Sequence, residues 1–171
     1  MNKDELVTAF RAVGLLEGMT LEVHSSLSSF GQVEGGAQSV IEALISCVGP
    51  AGSIFMPALR LSPEIDLTEE DRRLGITRKL KILSPDAERT GMGIIADTFR
   101  RRADTVTGEG IFRTCGWGLH AGQAVTGGLE YAIHHGGKAL MLGVDIDTDS
   151  QRKRIVASVL LPLCYVAAQS A

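Results

Sequence analysis

The sequence predicts an α/β fold in which helices cover a sheet. Three observations carry this. From Asn2 to Pro57, amphipathic helical runs alternate with short strand-like runs in the order αβαβ. Further on, Lys138 to Val144 is a nearly continuous apolar segment, the pattern of a strand buried on both faces. Glycine supplies 20 of the 171 residues, which suits the tight turns that such an alternation needs.

The elements follow in order. Asn2 to Val13 places Leu6, Phe10 and Val13 at helical spacing, with Asn2 as cap and Gly14 as stop. A turn at Glu17-Gly18 precedes a first strand, Thr20 to His24. A helix over Ala37 to Val48 presents Val40, Ile41, Leu44 and Ile45 as its apolar stripe, and Gly49-Pro-Ala-Gly52 ends it. Ser53 to Pro57 is a short buried strand. Arg60 to Arg89 breaks the pattern: it is charged, carries Pro63 and Pro85, and has no sustained period, although Thr68 to Leu74 has helical character. It is read as a long excursion from the core, of the kind that forms lids, oligomer contacts or solvated loops. Thr90-Gly-Met-Gly93 opens a helix, Ile94 to Arg102, with Ile94, Ile95 and Phe99 inward. A strand is expected within Gly108 to Ala121, a helix over Leu129 to His134, and the apolar strand from Lys138. The polar loop Asp145 to Ser150 then leads into an apolar run, Ile155 to Ala168. Interrupted by Pro162 and too short to span a bilayer, that run is read as a buried, kinked helix.

Composition narrows the function. The length fits one domain, 1–171, with a substantial core, and 44% apolar against 22% charged residues is ordinary for a globular protein. Aromatic residues are only 5% and the net charge is −3, which argues against base stacking or a basic nucleic-acid face. Cys47, Cys115 and Cys164 are far apart with no Cys-x-x-Cys spacing, so neither a zinc site nor a disulfide framework is expected. The charged N-terminus shows no signal-peptide pattern, and no membrane span is expected. A cytoplasmic setting fits. The acidic residues Glu64, Asp66, Glu69, Glu70 and Asp71 are nearly cancelled by Arg72, Arg73, Arg78, Lys79 and Lys81, and read as a solvated face. The excursion and the apolar C-terminal run suit pairing with a second copy of the chain, without specifying a symmetry.

The most informative stretch is Leu21-Glu-Val-His-Ser-Ser-Leu-Ser-Ser-Phe-Gly31, followed by Gly35-Gly36. A strand that ends in a loop of hydroxyls and glycines before a helix exposes backbone N–H groups at the positive end of a helix dipole. That favours a phosphate or another anion over a free metal, although similar loops also serve as turns and caps.

The order of motifs resembles one family over nearly the whole chain. Gly14 to Leu27, Gly35-Gly36-Ala37, Val40-Ile41-Glu-Ala-Leu44, Gly52-Ser-Ile-Phe-Met-Pro57, Gly91-Met-Gly93 with Thr98-Phe-Arg100, and Leu142-Gly-Val144 resemble the aminoglycoside 3-N-acetyltransferases. The resemblance implies an α/β/α sandwich with a mixed, largely parallel sheet. It also implies acetyl-coenzyme A (acetyl-CoA) as donor, an amine of an aminoglycoside or similar small molecule as acceptor, and a role in antibiotic resistance. Carried over by position, the coenzyme-holding residues are Val23, His24, Ser25, Ser26, Ser29, Met92 and Gly93.

This chain departs from the family pattern downstream. Where relatives place a His-Pro pair after the Thr-Phe-Arg helix, it has Gly108-Glu-Gly-Ile-Phe-Arg-Thr-Cys-Gly-Trp-Gly118. After the Leu-Gly-Val strand, Ile146 and Lys153 stand at the family's histidine positions, and Asp149 and Ser150 replace its asparagine and threonine. The chain also stops at Ala171, so part of the usual acceptor wall is expected to be missing. Acetyl transfer to an amine needs a base and donors for the oxyanion, and isoleucine is neither. The coenzyme-binding half therefore reads as kept and the acceptor half as rewritten.

The catalytic candidates are His24 and Asp147. His24 ends a strand beside two serines and suits ligand contact or proton transfer, or else a backbone-bonded loop. Asp145 and Asp147 follow a strand, where ligand-site residues gather in α/β sheets. They suit a base or a cationic amine, or else turn formation and helix capping. Glu109 is a weaker candidate of the same sort. His134-His135 suit a helix end and lack ligand partners for a metal, while His120 and Trp117 read as structural, Trp117 with ligand packing as its alternative. Two functions follow: an acetyl-CoA-dependent N-acetyltransferase, or a catalytically degenerate relative that binds acyl-CoA or mediates oligomerisation. A transferase for another phosphorylated ligand rests on the loop argument alone.

Overall fold

The computed structural model describes residues 1–144 and the strand at 159–162. Helix α1 (Lys3–Ala12) begins with a capping box: the Asn2 side chain accepts from the Glu5 amide at 3.0 Å, and Glu5 accepts from the Asn2 amide at 2.9 Å. Its Leu6 and Phe10 are buried, and α2 (Gly36–Val48) buries the stripe foreseen from its spacing.

Six strands form one mixed sheet: β1 (Thr20–Ser25), β2 (Ser53–Pro57), β3 (Val106–Thr107), β4 (Thr114–Gly118), β5 (Lys138–Leu142) and β6 (Val159–Pro162), in the spatial order β3-β4-β2-β1-β5-β6. Strand β1 pairs in parallel with both β2 and β5, whereas β4 joins β2, β3 joins β4, and β6 joins β5 antiparallel. The parallel part is thus the central trio, with antiparallel flanks.

Side-chain alternation separates the two faces. Leu21, Val23, Ile54, Met56, Leu140 and Leu142 join α1, α2 and α4 (Ile94–Arg100) in the main core. On the opposite face, Phe55 packs with Ala132 of α5 (Gly128–His134) and with Ala124 from the turn before it. The result is an α/β/α sandwich. Cys47 and Cys115 are buried in it as free thiols, and burial pushes Cys115 up to about 12.

Two sequence expectations are corrected. The run from Ile155 to Ala168 is not a helix where it is described: Val159–Pro162 is strand β6 against β5. A short apolar run carries no period that separates a buried helix from a buried strand, and Pro162 is tolerated at the end of an edge strand. Strand β5 is not buried on both faces either. Leu140 and Leu142 are buried against the α1/α2/α4 layer, while Ala139 and Met141 on the other side stay partly exposed, as does Lys138 at the start of the strand.

The excursion leaves the sheet after β2 and returns at α4. It contains a short helix, α3 (Glu69–Arg73), and an antiparallel bridge between Leu61 and Ile82. Three arginines bond its carbonyls, Arg60 from its own start and Arg100 and Arg113 from outside it. Arg113 donates to Ala58 at 3.0 Å and to Pro85 at 2.6 Å, Arg60 to Leu83 at 2.9 Å, and Arg100 to Ala87 and Glu88. Burial, and then the neighbouring Arg100 and Arg60, push the Arg113 pKa below the usual guanidinium value. Asp97, 1% exposed, anchors the return: it accepts from the Thr90 amide and hydroxyl at 2.8 Å each and from Arg100 at 3.2 Å.

Replacing Asp97 with alanine strands a buried guanidinium and the Thr90 amide. The expected loss is about 3–5 kcal/mol of stability, read as a lower urea midpoint. Within the excursion, hydrogen bonds from Lys79 and Thr68 hold the Asp71 carboxyl well below its ordinary value of 3.8, at about 2. Its contribution is therefore present above about pH 4 and is lost as pH falls through about 2. Amide exchange at residues 68–79 is expected to speed up in that window, and Asp71→Asn to abolish the dependence.

Candidate functional site

The C-terminal end of β1 lies where the connections of the sheet diverge. The chain leaves β1 for β2 through α2 on one face, and reaches β5 through α5 on the other. Ligand crevices in open α/β sheets form at such a point. A cavity of about 280 Å³ opens there, lined by Val23, His24 and Ser25 of β1 and by Pro57 at the end of β2. Gly91, Met92 and Ala96 enclose it from the entrance of α4, and Met141 and Val144 from β5 and its exit.

The loop after β1 is stapled to β5. The Ser26 amide donates to the Leu142 carbonyl at 2.9 Å, and the Ser29 hydroxyl donates to the Gly143 carbonyl at 2.7 Å. Gly143 sits at φ +66, and a Cβ on it would lie 2.3 Å from the Ser29 Cβ, so the close approach requires glycine. Ser26 and Ser28 share a hydroxyl contact at 3.1 Å. Gly93, at φ +88, brings the entrance of α4 against the Ser25 carbonyl, which a Cβ there would face at 3.9 Å. The Met92 amide donates to the Thr90 hydroxyl at 3.1 Å, so Asp97 shapes this loop as well.

The sequence-derived candidates therefore divide. Val23, His24, Ser25 and Met92 line one cavity, and Gly93 abuts it. Ser26 and Ser29 are bonded within the loop or to β5 and do not line it. Asp147, with Asp145, Asp149, Ser150 and Lys153, lies outside the described residues, although Val144 brings the chain to the cavity just before them.

Sequence reasoning passed over Glu22. The Nε2 atom of His24 lies 3.0 Å from Glu22 Oε1, and the two residues project to the α5 face because Leu21 and Val23 take the other. The His24 side chain is 40% exposed and that of Glu22 only 8%. By register, Glu22 has Phe55 and Ala139 beside it, and His24 has Met141. The available signal was a glutamate two residues before a histidine in a strand of otherwise buried character.

Other singled-out residues have structural partners. Trp117 packs against the main core and donates to Asp104 at 3.0 Å. Tyr131 lies between His135, stacked on it with ring centres 4.0 Å apart, and His120, tilted against it at 5.0 Å. In the charged excursion, Glu64 pairs with Arg78 at the surface, whereas Asp71, paired with Lys79, is buried rather than part of the solvated face expected of it. Among the described residues, no group of three or more His, Cys, Asp or Glu is placed to hold a metal ion, and no helix is long and apolar enough to cross a membrane.

Comparison with known proteins agrees with this architecture. Aminoglycoside N(3)-acetyltransferase III of Serratia marcescens is 30% identical over 173 residues, covering 86% of this chain and 61% of that protein. The solved structure of YokD from Bacillus subtilis is 28% identical with a TM-score of 0.69, covering 86% of this chain and 62% of that one. The acetyltransferase AAC-IIIb, solved as a binary complex with CoASH, shares the fold at 21% identity and a TM-score of 0.67, covering 87% of this chain and 62% of its own. The chain thus spans about three fifths of the length of these relatives. A family model for aminoglycoside 3-N-acetyltransferase matches residues 23–151, from the cavity-lining end of β1 to beyond β5, and the chain belongs to that family.

Proposed function

We propose that this protein transfers an acetyl group from acetyl-CoA to an amine of an aminoglycoside or a similar aminated small molecule. The observation that carries the reading is the cavity at the end of β1, with a carboxylate-backed histidine, His24, on its wall. Family membership supports it, as do the Serratia relative, an aminoglycoside N(3)-acetyltransferase, and the CoASH complex of a protein with the same fold.

The cavity fits the reactive end of the donor. Its lining is mainly apolar, through Val23, Pro57, Met92, Ala96, Met141 and Val144, and about 280 Å³ admits a thioester and the end of its arm but not a whole nucleotide. The phosphates therefore lie outside it, toward the serine-bearing loop and the first turn of α2. There the N–H groups of a 13-residue helix favour anions. Ser25, in the wall, supplies a hydroxyl and a backbone amide near the reacting end.

His24 supplies the base. As the amine nitrogen bonds to the acetyl carbon and the carbon–sulfur bond breaks, the imidazole takes the proton that the amine must lose. That proton leaves on the thiolate, giving free CoA thiol. Among the described residues that line the cavity, His24 is the only imidazole, and no carboxylate stands beside it in the wall. Asp147 is assigned to the acceptor side, where a carboxylate suits a cationic amine.

Incubation with acetyl-CoA and a panel of aminoglycosides is expected to release thiol. His24→Ala should lower kcat by about 10²–10⁴-fold, the usual contribution of a general base. An undiminished rate would remove His24 from the reaction, and the absence of release with every amine would remove the enzymatic reading. In the double variant Ser25→Ala, Ser26→Ala, affinity for CoA measured by calorimetry should fall by about 1 kcal/mol for each hydrogen bond lost. Unchanged affinity would place the coenzyme elsewhere.

A further inference from the structure

The buried carboxylate of Glu22 is not needed by the fold. It sits in the central strand of the sheet, among the side chains of Phe55 and Ala139, where an apolar residue would satisfy the packing. Carboxylates are rarely buried without a partner, because losing water disfavours the charged form. The one side-chain partner within hydrogen-bonding distance among the described residues is the His24 imidazole.

We propose that Glu22 is a positioning residue that fixes the tautomer and orientation of His24, an inference that rests on the acetyl-transfer reading above. An ionised carboxylate can only accept hydrogen bonds, so Nε2 must carry the hydrogen that lies between the two groups. In the neutral ring the lone pair is then on Nδ1, the atom left to take a proton from the amine. When that proton arrives, the imidazolium forms 3.0 Å from a negative charge held in a poorly solvated place, where the attraction is screened least.

Among the described residues, the neighbouring strands and the α4 side bring no second charge to this pair. From β2 and β5 the neighbours are Phe55, Ala139 and Met141, none of which titrates. From the α5 layer, the titratable rings are Tyr131, His135, which stacks on it, and His120, which is tilted against it, with Tyr131 meeting Phe55 edge-on at 6.2 Å. Glu130 and His134 also belong to α5. On the α4 side, the lining residues Gly91, Met92 and Ala96 bring no charge.

Two variants and one spectroscopic measurement test this. In Glu22→Gln the amide oxygen still accepts from Nε2 but the charge is gone. The Nε2–H tautomer should persist, and kcat is expected to fall less than in Glu22→Met, with little change in KM for acetyl-CoA. In Glu22→Met an apolar chain of similar length takes the site, so the melting temperature should hold or rise while kcat falls about tenfold or more. Imidazole nitrogen NMR reads His24 directly, without turnover. The intact protein and Glu22→Gln should show the Nε2–H tautomer, and Glu22→Met should lose that preference. If the tautomer in Glu22→Met stays as in the intact protein, the inference is overturned even where acetyl transfer is real. A fall in melting temperature with kcat retained would likewise make Glu22 a structural residue. If no amine is acetylated but the NMR changes appear, the acetyl-transfer reading fails and the pairing stands.

Discussion

The structure depends on β1 being held in parallel between β2 and β5. Parallel pairing brings the ends of three strands to one edge, and the helices that follow are forced to opposite faces, α2 on one and α5 on the other. The edge of the sheet at β1 is therefore open between two layers. The Ser26 amide and the Ser29 hydroxyl, both bonded to carbonyls at the end of β5, keep the loop after β1 from folding over that opening. A cavity results from topology and two hydrogen bonds rather than from a specialised loop.

Buried acids show how differently one residue type is used around this opening. Asp97 has a complete set of partners: an amide, a hydroxyl and a guanidinium. Those partners belong to the base of the excursion and to the entrance of α4, so Asp97 joins the excursion to the site without facing the cavity. Glu22 has one partner, His24, and that partner reaches the cavity wall. A carboxylate satisfied on every side reads as structure. One satisfied only by an ionisable side chain in a crevice reads as chemistry.

The local elements were legible wherever period, cap and stop agreed. Asn2 with Glu5, the stripe of α2, and Ser53–Pro57 all stand where the sequence placed them, because each signal is satisfied within a few residues. Val159–Pro162 was misread because its conformation is set by pairing with β5, and nothing within the run says so. The excursion was legible as an irregular segment but not as a fastened one. Its clasp is made by Arg100 and Arg113, which lie outside it in the chain.

For the site, the sequence alone determined the material: a strand ending in His24 and Ser25, a Gly-Met-Gly helix entrance, and the family to which these belong. Local chemistry and local order suffice for that, since each feature is contiguous. Only the tertiary structure decided that Val23, His24, Ser25 and Met92 share one cavity, and that Ser29 bonds to the chain beyond β5. It alone showed that Glu22 stands behind His24. These are relations between separate strands, or across one strand face with its burial known. Burial and strand pairing are set by the whole sheet, not by any one segment of it.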